Sequence, residues 1–189
     1  MTNIEFQVYD ASAKRCVAAL AQWFYDRAET GVTAVVGREL SQELINLFGK
    51  NRRLCDLLFD LLDVVLDGRP AVGAVLYDIQ TRARGDELRR NAGYAGRILE
   101  SGRFDKLEYF VHFLLLLTEA PTNFRTLVRG FPNDFRLFVI DLTKIDGMEL
   151  LKVGMPEAAV LATLSVVAPR NPLIAGIVQI LVALPTIDE

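Results

Sequence analysis

The stretch on which the fold prediction depends is LCDLLFDLLDVVLD, residues 54–67. Every residue in it is apolar except four aspartates, which follow one another at steps of four, three and four residues. At about 100° per residue, the four carboxylates fall within about 60° of one another on a helical wheel. The pattern therefore predicts a helix almost surrounded by protein or lipid, with a narrow acidic stripe open to water. The stripe consists of Asp56, Asp60, Asp63 and Asp67.

The aspartate stripe has two interpretations. Carboxylates at i and i+4 share one helix face, so they can form a cation site. The alternative is the solvated edge of a buried helix, and it is favoured because one helix alone provides no converging ligands.

His112, the only histidine, lies in the apolar run YFVHFLLLL, residues 109–117. A lone imidazole can act as a general base or a metal ligand, but its apolar neighbours favour a packed residue. No Ser, Cys or acid stands at a local spacing that builds a catalytic triad. The GxGxxG, GxxxxGK[ST] and HExxH motifs are absent as well. We therefore predict no enzyme, no catalytic residue, no metal site and no cofactor.

The composition describes a hydrophobic chain of 189 residues, with 51% hydrophobic and 24% charged residues. Its mean hydropathy is +0.25. This composition excludes a disordered chain, and the length suits one domain or two very small ones. The net charge of −3 argues against a protein that neutralises nucleic-acid phosphates, so we expect no nucleic-acid partner. Two cysteines without a metal-binding spacing, and no secretory signal, predict free thiols and an intracellular protein.

Helical spacing extends through the whole chain, and no stretch shows sustained alternation of apolar and polar residues. The fold prediction is all-α, a multi-helix bundle or stacked helical hairpins with about seven to nine helices. The predicted helices cover residues 11–29, 38–48, 54–67, 71–79, 109–117, 123–128 and 135–144, with two short helices within 158–184.

Three regions are predicted: an N-terminal helical half (1–79), a basic, glycine-containing connection (80–106) and an apolar C-terminal half (107–189). The connection carries seven basic and four acidic side chains. Two interpretations stay open, a plain solvated surface and contact with an anionic surface such as lipid headgroups. The candidate membrane- or partner-contact residues are Arg82, Arg84, Arg89, Arg90, Arg97, Phe59, Leu62, Leu173 and Ile177.

Several short motifs resemble the peroxisomal membrane protein 11 family. Residues 10–15 (DASAKR) and 21–23 (AQW) look like that family's opening Asp-Gly-Arg-Asp-Lys and its later Gln-Tyr. Residues 51–54 (NRRL) look like the Arg-Lys-Leu that starts its amphipathic helix. Residues 136–142 (RLFVIDL), followed by an apolar stretch around Gly176, are similar to its last part. The resemblance implies elongation and division of peroxisomal or glycosomal membranes.

The first functional hypothesis is therefore a non-enzymatic, organelle-membrane-associated helical protein. In it, the 54–67 helix lies in the membrane interface and the segments 107–118 and 158–184 are embedded. The alternative is a HEAT- or armadillo-like scaffold that binds protein partners in the cytoplasm, because prolines at 70, 121 and 169 separate apolar stretches at similar intervals. The expected partners are a lipid bilayer or a protein, and we expect a homo-oligomer.

Overall fold

A computed structural model describes residues 3–40, 57–80, 92–93, 96, 98, 106–120, 126–128 and 135–165. Over these residues the protein is mixed α/β, so the predicted all-α bundle and helical repeat are wrong. The described helices are α1 (Asn3–Ala19), α2 (Ala21–Arg27), α3 (Gly147–Leu151) and α4 (Pro156–Ala162), with a 3-10 turn at Leu142–Lys144. The strands are β1 (Val35–Glu39), β2 (Leu57–Leu62), β3 (Val65–Leu66), β4 (Arg69–Pro70), β5 (Val72–Gln80), β6 (Leu107–Leu116), β7 (Leu127–Val128) and β8 (Phe135–Asp141).

The predicted helix 54–67 is wrong, because its described part consists of strands and turns. Asp60 lies within β2, whereas Asp63 and Asp67 lie in turns with φ angles of 56° and 52°. Asp67 and Gly68 (φ 77°) connect β3 to β4, and two positive φ angles are what a type I′ hairpin turn requires. The aspartates therefore form no common stripe over the described part, and Asp56 lies outside it.

Other predicted helices are strands as well. Residues 72–79 belong to β5, 109–116 to β6 and 135–141 to β8, while residues 127–128 form β7. β5 and β6 are central strands of the sheet and are covered on both faces. Such strands are continuously apolar, so they lack the alternation that marks a half-exposed strand.

The remaining helix predictions have mixed outcomes. The predicted helix 11–29 corresponds to α1 and α2, which meet at Leu20. Residues 38–39 end β1 instead of beginning a helix, and the rest of the predicted helix 38–48 lies mainly outside the described residues. Residues 158–162 belong to α4, whereas residues 166–184 of the prediction lie outside the described residues.

The main sheet has the strand order β1-β2-β5-β6-β8-β7. β2 pairs antiparallel with both β1 and β5, whereas β5 and β6 are parallel. A parallel pair needs a crossover connection, usually a helix, and residues 81–106 supply it. Within it, Ala92, Gly93, Gly96 and Ile98 are helical and Lys106 is a turn residue.

Alternation along the strands gives the sheet two faces. On the crossover face, Leu58, Ala74 and Leu76 form a buried cluster with Ile98. On the opposite α2 face, the Tyr77 ring stacks on Phe113 with their centroids 5.0 Å apart. Both faces of the central strands are thus buried, and this burial supplies the main hydrophobic stabilisation of the sheet.

The chain divides into two compact units, Ala21–Leu116 with Ala120–Ile140, and Met1–Leu20 with Leu117–Glu119 and Asp141–Glu189. The first contains the sheet and α2. In the second, α4 packs against α1 and α3, with Val17, Leu150 and Leu161 buried. None of the helices described combines the length and the apolar character that crossing a bilayer requires.

Candidate functional site

Few polar side chains are buried in the part of the chain that the structure describes. They are Asp78 (4% exposed), His112 (1%) and Ser165 (4%). The Ser165 hydroxyl donates to the Ala162 carbonyl oxygen at 2.8 Å, a local bond within its own helical turn. Asp78 and His112 instead lie on the neighbouring strands β5 and β6.

The strand register places Asp78 and His112 on the crossover face. Leu76 lies opposite His112, and Asp78 lies opposite Leu114. Asp78 follows Leu76 by two residues, so it faces the same way as Leu76 and is the diagonal neighbour of His112. A carboxylate and an imidazole are thus diagonal neighbours on this mainly apolar face.

Gln80 holds the carboxylate of Asp78. Gln80 lies two residues after Asp78 on β5, and its Nε2 donates to Asp78 Oδ1 at 2.9 Å. Gln80 is the last residue of β5 and lies opposite Leu116, the last residue of β6, so both strands end at the same level. A buried carboxylate costs free energy unless hydrogen bonds or charges compensate it, and this amide supplies part of that compensation.

The position of Asp78 within the sheet is a usual one for a ligand site. In open α/β sheets, ligands bind beyond the carboxyl ends of parallel strands. The arginine-rich connection follows at once, since Arg82 and Arg84 come two and four residues after Gln80 in the sequence. All five arginines of the prediction lie outside the described residues.

Asp60 lies on the same face of the sheet as Asp78 and His112 but is not part of the same site. It pairs with Ala74, four residues before Asp78, which is about 13 Å along the strand. Among the described residues its buried Oδ1 has no hydrogen-bond partner, and it lies close to Gly37, where any side chain would collide with it. Over the described residues, no three His, Cys, Asp or Glu side chains are grouped so that they could hold a metal ion.

A polar cluster on the α2 face has a structural role. The hydroxyl of Tyr77 donates to the Ala21 carbonyl oxygen at 2.6 Å, and that of Tyr25 donates to the Val32 carbonyl oxygen at 2.9 Å. Burial raises the pKa of both phenols well above the usual range. Both therefore stay neutral: Tyr77 fastens α2 to the sheet, and Tyr25 fastens the following loop to α2.

The predicted contact residues are scattered. Phe59 is buried with its ring edge-on to Tyr77, whereas Leu62 is 49% exposed at the end of β2. Both lie in β2 and not in the predicted helix, and their role as contact residues stays a prediction. Leu173 and Ile177 lie outside the described residues. The sequence reasoning missed Asp78 and Gln80, although an acid within the apolar run 72–79 was a signal that could have indicated the site.

No protein-family model, curated protein or solved structure matches this chain.

Proposed function

We propose that this protein is a divalent-cation-dependent phosphodiesterase that hydrolyses nucleic acid, with Asp78 as a ligand of the cation. The observation that carries the proposal is the position of Asp78. It is a carboxylate only 4% exposed, at the carboxyl end of a central strand, held by Gln80 and beside a parallel strand.

The donor set supports a cation that binds together with its substrate. Mg²⁺ and Mn²⁺ prefer carboxylate, carbonyl and water oxygens, and Mg²⁺ is usually held by one or two carboxylates together with substrate phosphates. Such an ion lowers the pKa of a bound water and stabilises charge on a phosphoryl group. In hydrolysis, the water gives up one proton as its oxygen forms a bond to phosphorus, the ester P–O bond breaks, and the leaving oxygen takes up one proton.

The charge of the neighbouring connection supports a polyanionic substrate. Residues 80–106 carry seven basic against four acidic side chains, although the whole chain has a net charge of −3. The prediction of no nucleic-acid partner used the charge of the whole chain, whereas phosphate contacts depend on the local charge. Six of the seven basic residues are arginines, whose planar guanidinium groups bind phosphate in a bidentate manner.

The test compares two variants with the same chemical change. Asp78→Asn removes the buried charge, and Asp63→Asn removes an exposed one from a turn with positive φ, where asparagine is well tolerated. Single-stranded DNA, plasmid DNA and RNA are incubated with purified protein and Mn²⁺, Mg²⁺ or EDTA.

We expect cation-dependent cleavage that EDTA abolishes. Asp78→Asn should lower the rate about 100-fold or more, while Asp63→Asn stays within about twofold because it alters only a solvated surface. Cleavage by Asp78→Asn at the wild-type rate would contradict the proposal. So would a wild-type protein that neither cleaves these substrates nor binds either cation in calorimetry.

The membrane-remodelling hypothesis stays a prediction, but with weaker support. The segment 107–118, expected to be embedded, is mostly β6, and the expected interfacial helix consists of strands and turns over its described part. The remaining support is the hydrophobic composition, the family resemblance and the nearly charge-free stretch 158–184. Of that stretch only the first residues, in α4 and the following turn, are described. Flotation of the protein with liposomes tests this hypothesis directly.

A further inference from the structure

The chain contains two Asp-Gly steps, Asp67-Gly68 and Asp146-Gly147. In such a step the backbone nitrogen of the glycine can attack the side-chain carboxyl carbon of the aspartate, because glycine has no Cβ that hinders the approach. The same dipeptide therefore carries the same intrinsic reactivity at both places, and the structure decides where that reactivity is expressed. This chemistry is independent of the proposed function.

The Asp67-Gly68 step lies at the tip of the β3–β4 hairpin. Both residues are exposed, and they have positive φ angles of 52° and 77°. A Cβ on Gly68 would meet no atom of the described residues within 4 Å. The backbone around Gly68 is therefore open to solvent and has room to rearrange.

Few interactions hold this hairpin closed. Its two strands are two residues long each, and Pro70 in β4 has no N–H to donate. The ion pair of 2.7 Å between Arg69 and Glu108 lies at the surface, where such pairs contribute little to stability. A hairpin this short opens at a low free energy, so Asp67 can reach the conformation that ring closure requires.

The Asp146-Gly147 step is held by the start of α3. Asp146 is the N-cap of this helix: its Oδ1 accepts a hydrogen bond from the Met148 N–H at 2.9 Å. Its carbonyl oxygen accepts another from the Glu149 N–H at 3.0 Å, and Gly147 is buried. Ring closure must first break this cap, which alone makes the reactive conformation about fivefold rarer.

We propose that Asp67 is a site of spontaneous isoaspartate formation and that Asp146 is protected from it. The Gly68 nitrogen forms a bond to Cγ of Asp67 and gives up its proton, and the protonated carboxyl group loses its hydroxyl, which leaves with that proton as water. A second water opens the resulting succinimide ring at either carbonyl and yields aspartate or isoaspartate. Isoaspartate continues the backbone through Cβ, so the two-residue turn gains one atom and loses the geometry that pairs β3 with β4.

The test follows both steps in one sample of the intact chain. The protein is incubated at neutral pH in water enriched in ¹⁸O, either folded or unfolded in guanidinium chloride, and is then digested in ordinary water. Peptide mapping by mass spectrometry measures the ¹⁸O that ring opening leaves at each step, and electron-transfer fragmentation identifies isoaspartate.

In the folded chain we expect at least about fivefold more ¹⁸O and isoaspartate at Asp67 than at Asp146. In the unfolded chain, where the cap is absent, the two yields should agree within about twofold. An apolar residue precedes both steps, Leu66 in one and Ile145 in the other, so the unfolded chain is a matched control for the intrinsic reactivity.

Gly68→Ala places a Cβ beside the attacking nitrogen and should lower the labelling at Asp67 several-fold while that at Asp146 stays the same. Equal yields at the two steps of the folded wild-type chain, or a higher yield at Asp146, would overturn the proposal. It would also be overturned by a folded chain that takes up no ¹⁸O at Asp67 while the unfolded chain is labelled at both steps. Unchanged labelling of Asp67 in Gly68→Ala would exclude the Gly68 nitrogen as the nucleophile and have the same consequence.

Discussion

Tyr77 shows how a single side chain can join a helix to the sheet. The ring is completely buried, stacks on Phe113 and lies edge-on to Phe59, so it contributes apolar area to the α2 face. Its hydroxyl reaches the Ala21 carbonyl oxygen at the start of α2. One residue thus combines core packing with a directional bond that fixes the position of α2.

Replacing Tyr77 by Phe separates these two contributions. The aromatic ring stays, but the buried hydrogen bond to Ala21 is lost, so we expect the free energy of unfolding to fall by about 1–1.5 kcal/mol. Urea denaturation measures the change. Tyr109→Phe is the control: its hydroxyl lies 3.5 Å from that of Tyr25, which keeps its bond to Val32, so the expected loss is below about 0.5 kcal/mol. Equal losses in both variants would show that the bond to Ala21 does not stabilise the protein.

At the scale of elements, the β3–β4 hairpin depends on backbone geometry. Gly68 has a φ of 77° and no heavy atom within 4 Å of the place where a Cβ would lie. An alanine there has space but must adopt a left-handed conformation, which costs about 1–2 kcal/mol. We expect Gly68→Ala to lower the free energy of unfolding by that amount.

Gly96→Ala is the matched control with the opposite expected sign. Gly96 is helical, and a Cβ there also meets no atom of the described residues within 4 Å. Alanine in a helix is better than glycine by about 0.5–1 kcal/mol, so this variant should be more stable than wild type. Destabilisation by both substitutions in thermal unfolding would contradict the argument from φ.

A side chain covers the beginning of the sheet edge formed by β1. Gln22 of α2 accepts a hydrogen bond from the Val36 N–H at 2.6 Å and donates to the Ala34 carbonyl oxygen at 3.2 Å. β1 is the edge strand, and an edge with open backbone groups invites pairing with another chain. The amide of Gln22 therefore makes hydrogen bonds to backbone groups that a neighbouring strand would otherwise make.

Removing that amide should open the edge. We expect Gln22→Ala to lower the free energy of unfolding by about 1–3 kcal/mol and to increase self-association in light scattering. Asp26→Ala is the control, because it removes only the carboxylate that accepts from Gln22 Nε2 at 2.7 Å and leaves both backbone bonds in place. A monomeric Gln22→Ala variant with wild-type stability would exclude a role for Gln22 at the edge.

At the scale of the whole molecule, the two buried phenols make stability depend on alkaline pH. Burial raises the pKa of Tyr25 and Tyr77 above the ordinary value near 10. Below pH 10, the folded and the unfolded chain both keep these phenol protons, so the free energy of unfolding has its full value. Above it, the unfolded chain loses protons that the folded chain retains, and stability falls by up to about 1.4 kcal/mol per pH unit for each tyrosine.

Urea denaturation between pH 8 and 11 measures this dependence. Tyr25→Phe and Tyr77→Phe should each reduce the fall above pH 10, since each removes one of the two groups. Wild-type and variant profiles that run parallel above pH 10 would contradict the assignment to these tyrosines.

Some local structure can be predicted from the sequence. Helix over most of residues 11–29 was predicted and is observed as α1 and α2, with Cys16, Leu20 and Phe24 buried. The Asp67-Gly68 pair is a strong hairpin signal that the helical interpretation of 54–67 overlooked. The candidate site was missed because Asp78 and His112 are 34 positions apart, and only the parallel register makes them neighbours.

The sequence by itself determined which runs are mainly buried: most apolar side chains around Leu58, Leu76 and Leu114 avoid water, although Leu62 does not. Whether those runs are helices or strands was decided only by the tertiary structure. A segment covered on every side has no polar face, so its hydrophobicity carries neither a period of 3.6 nor a period of 2. Strand pairing resolves that ambiguity, because backbone bonds between segments distant in the chain satisfy the buried N–H and C=O groups. The same pairing brings Asp78 and His112 together on one face.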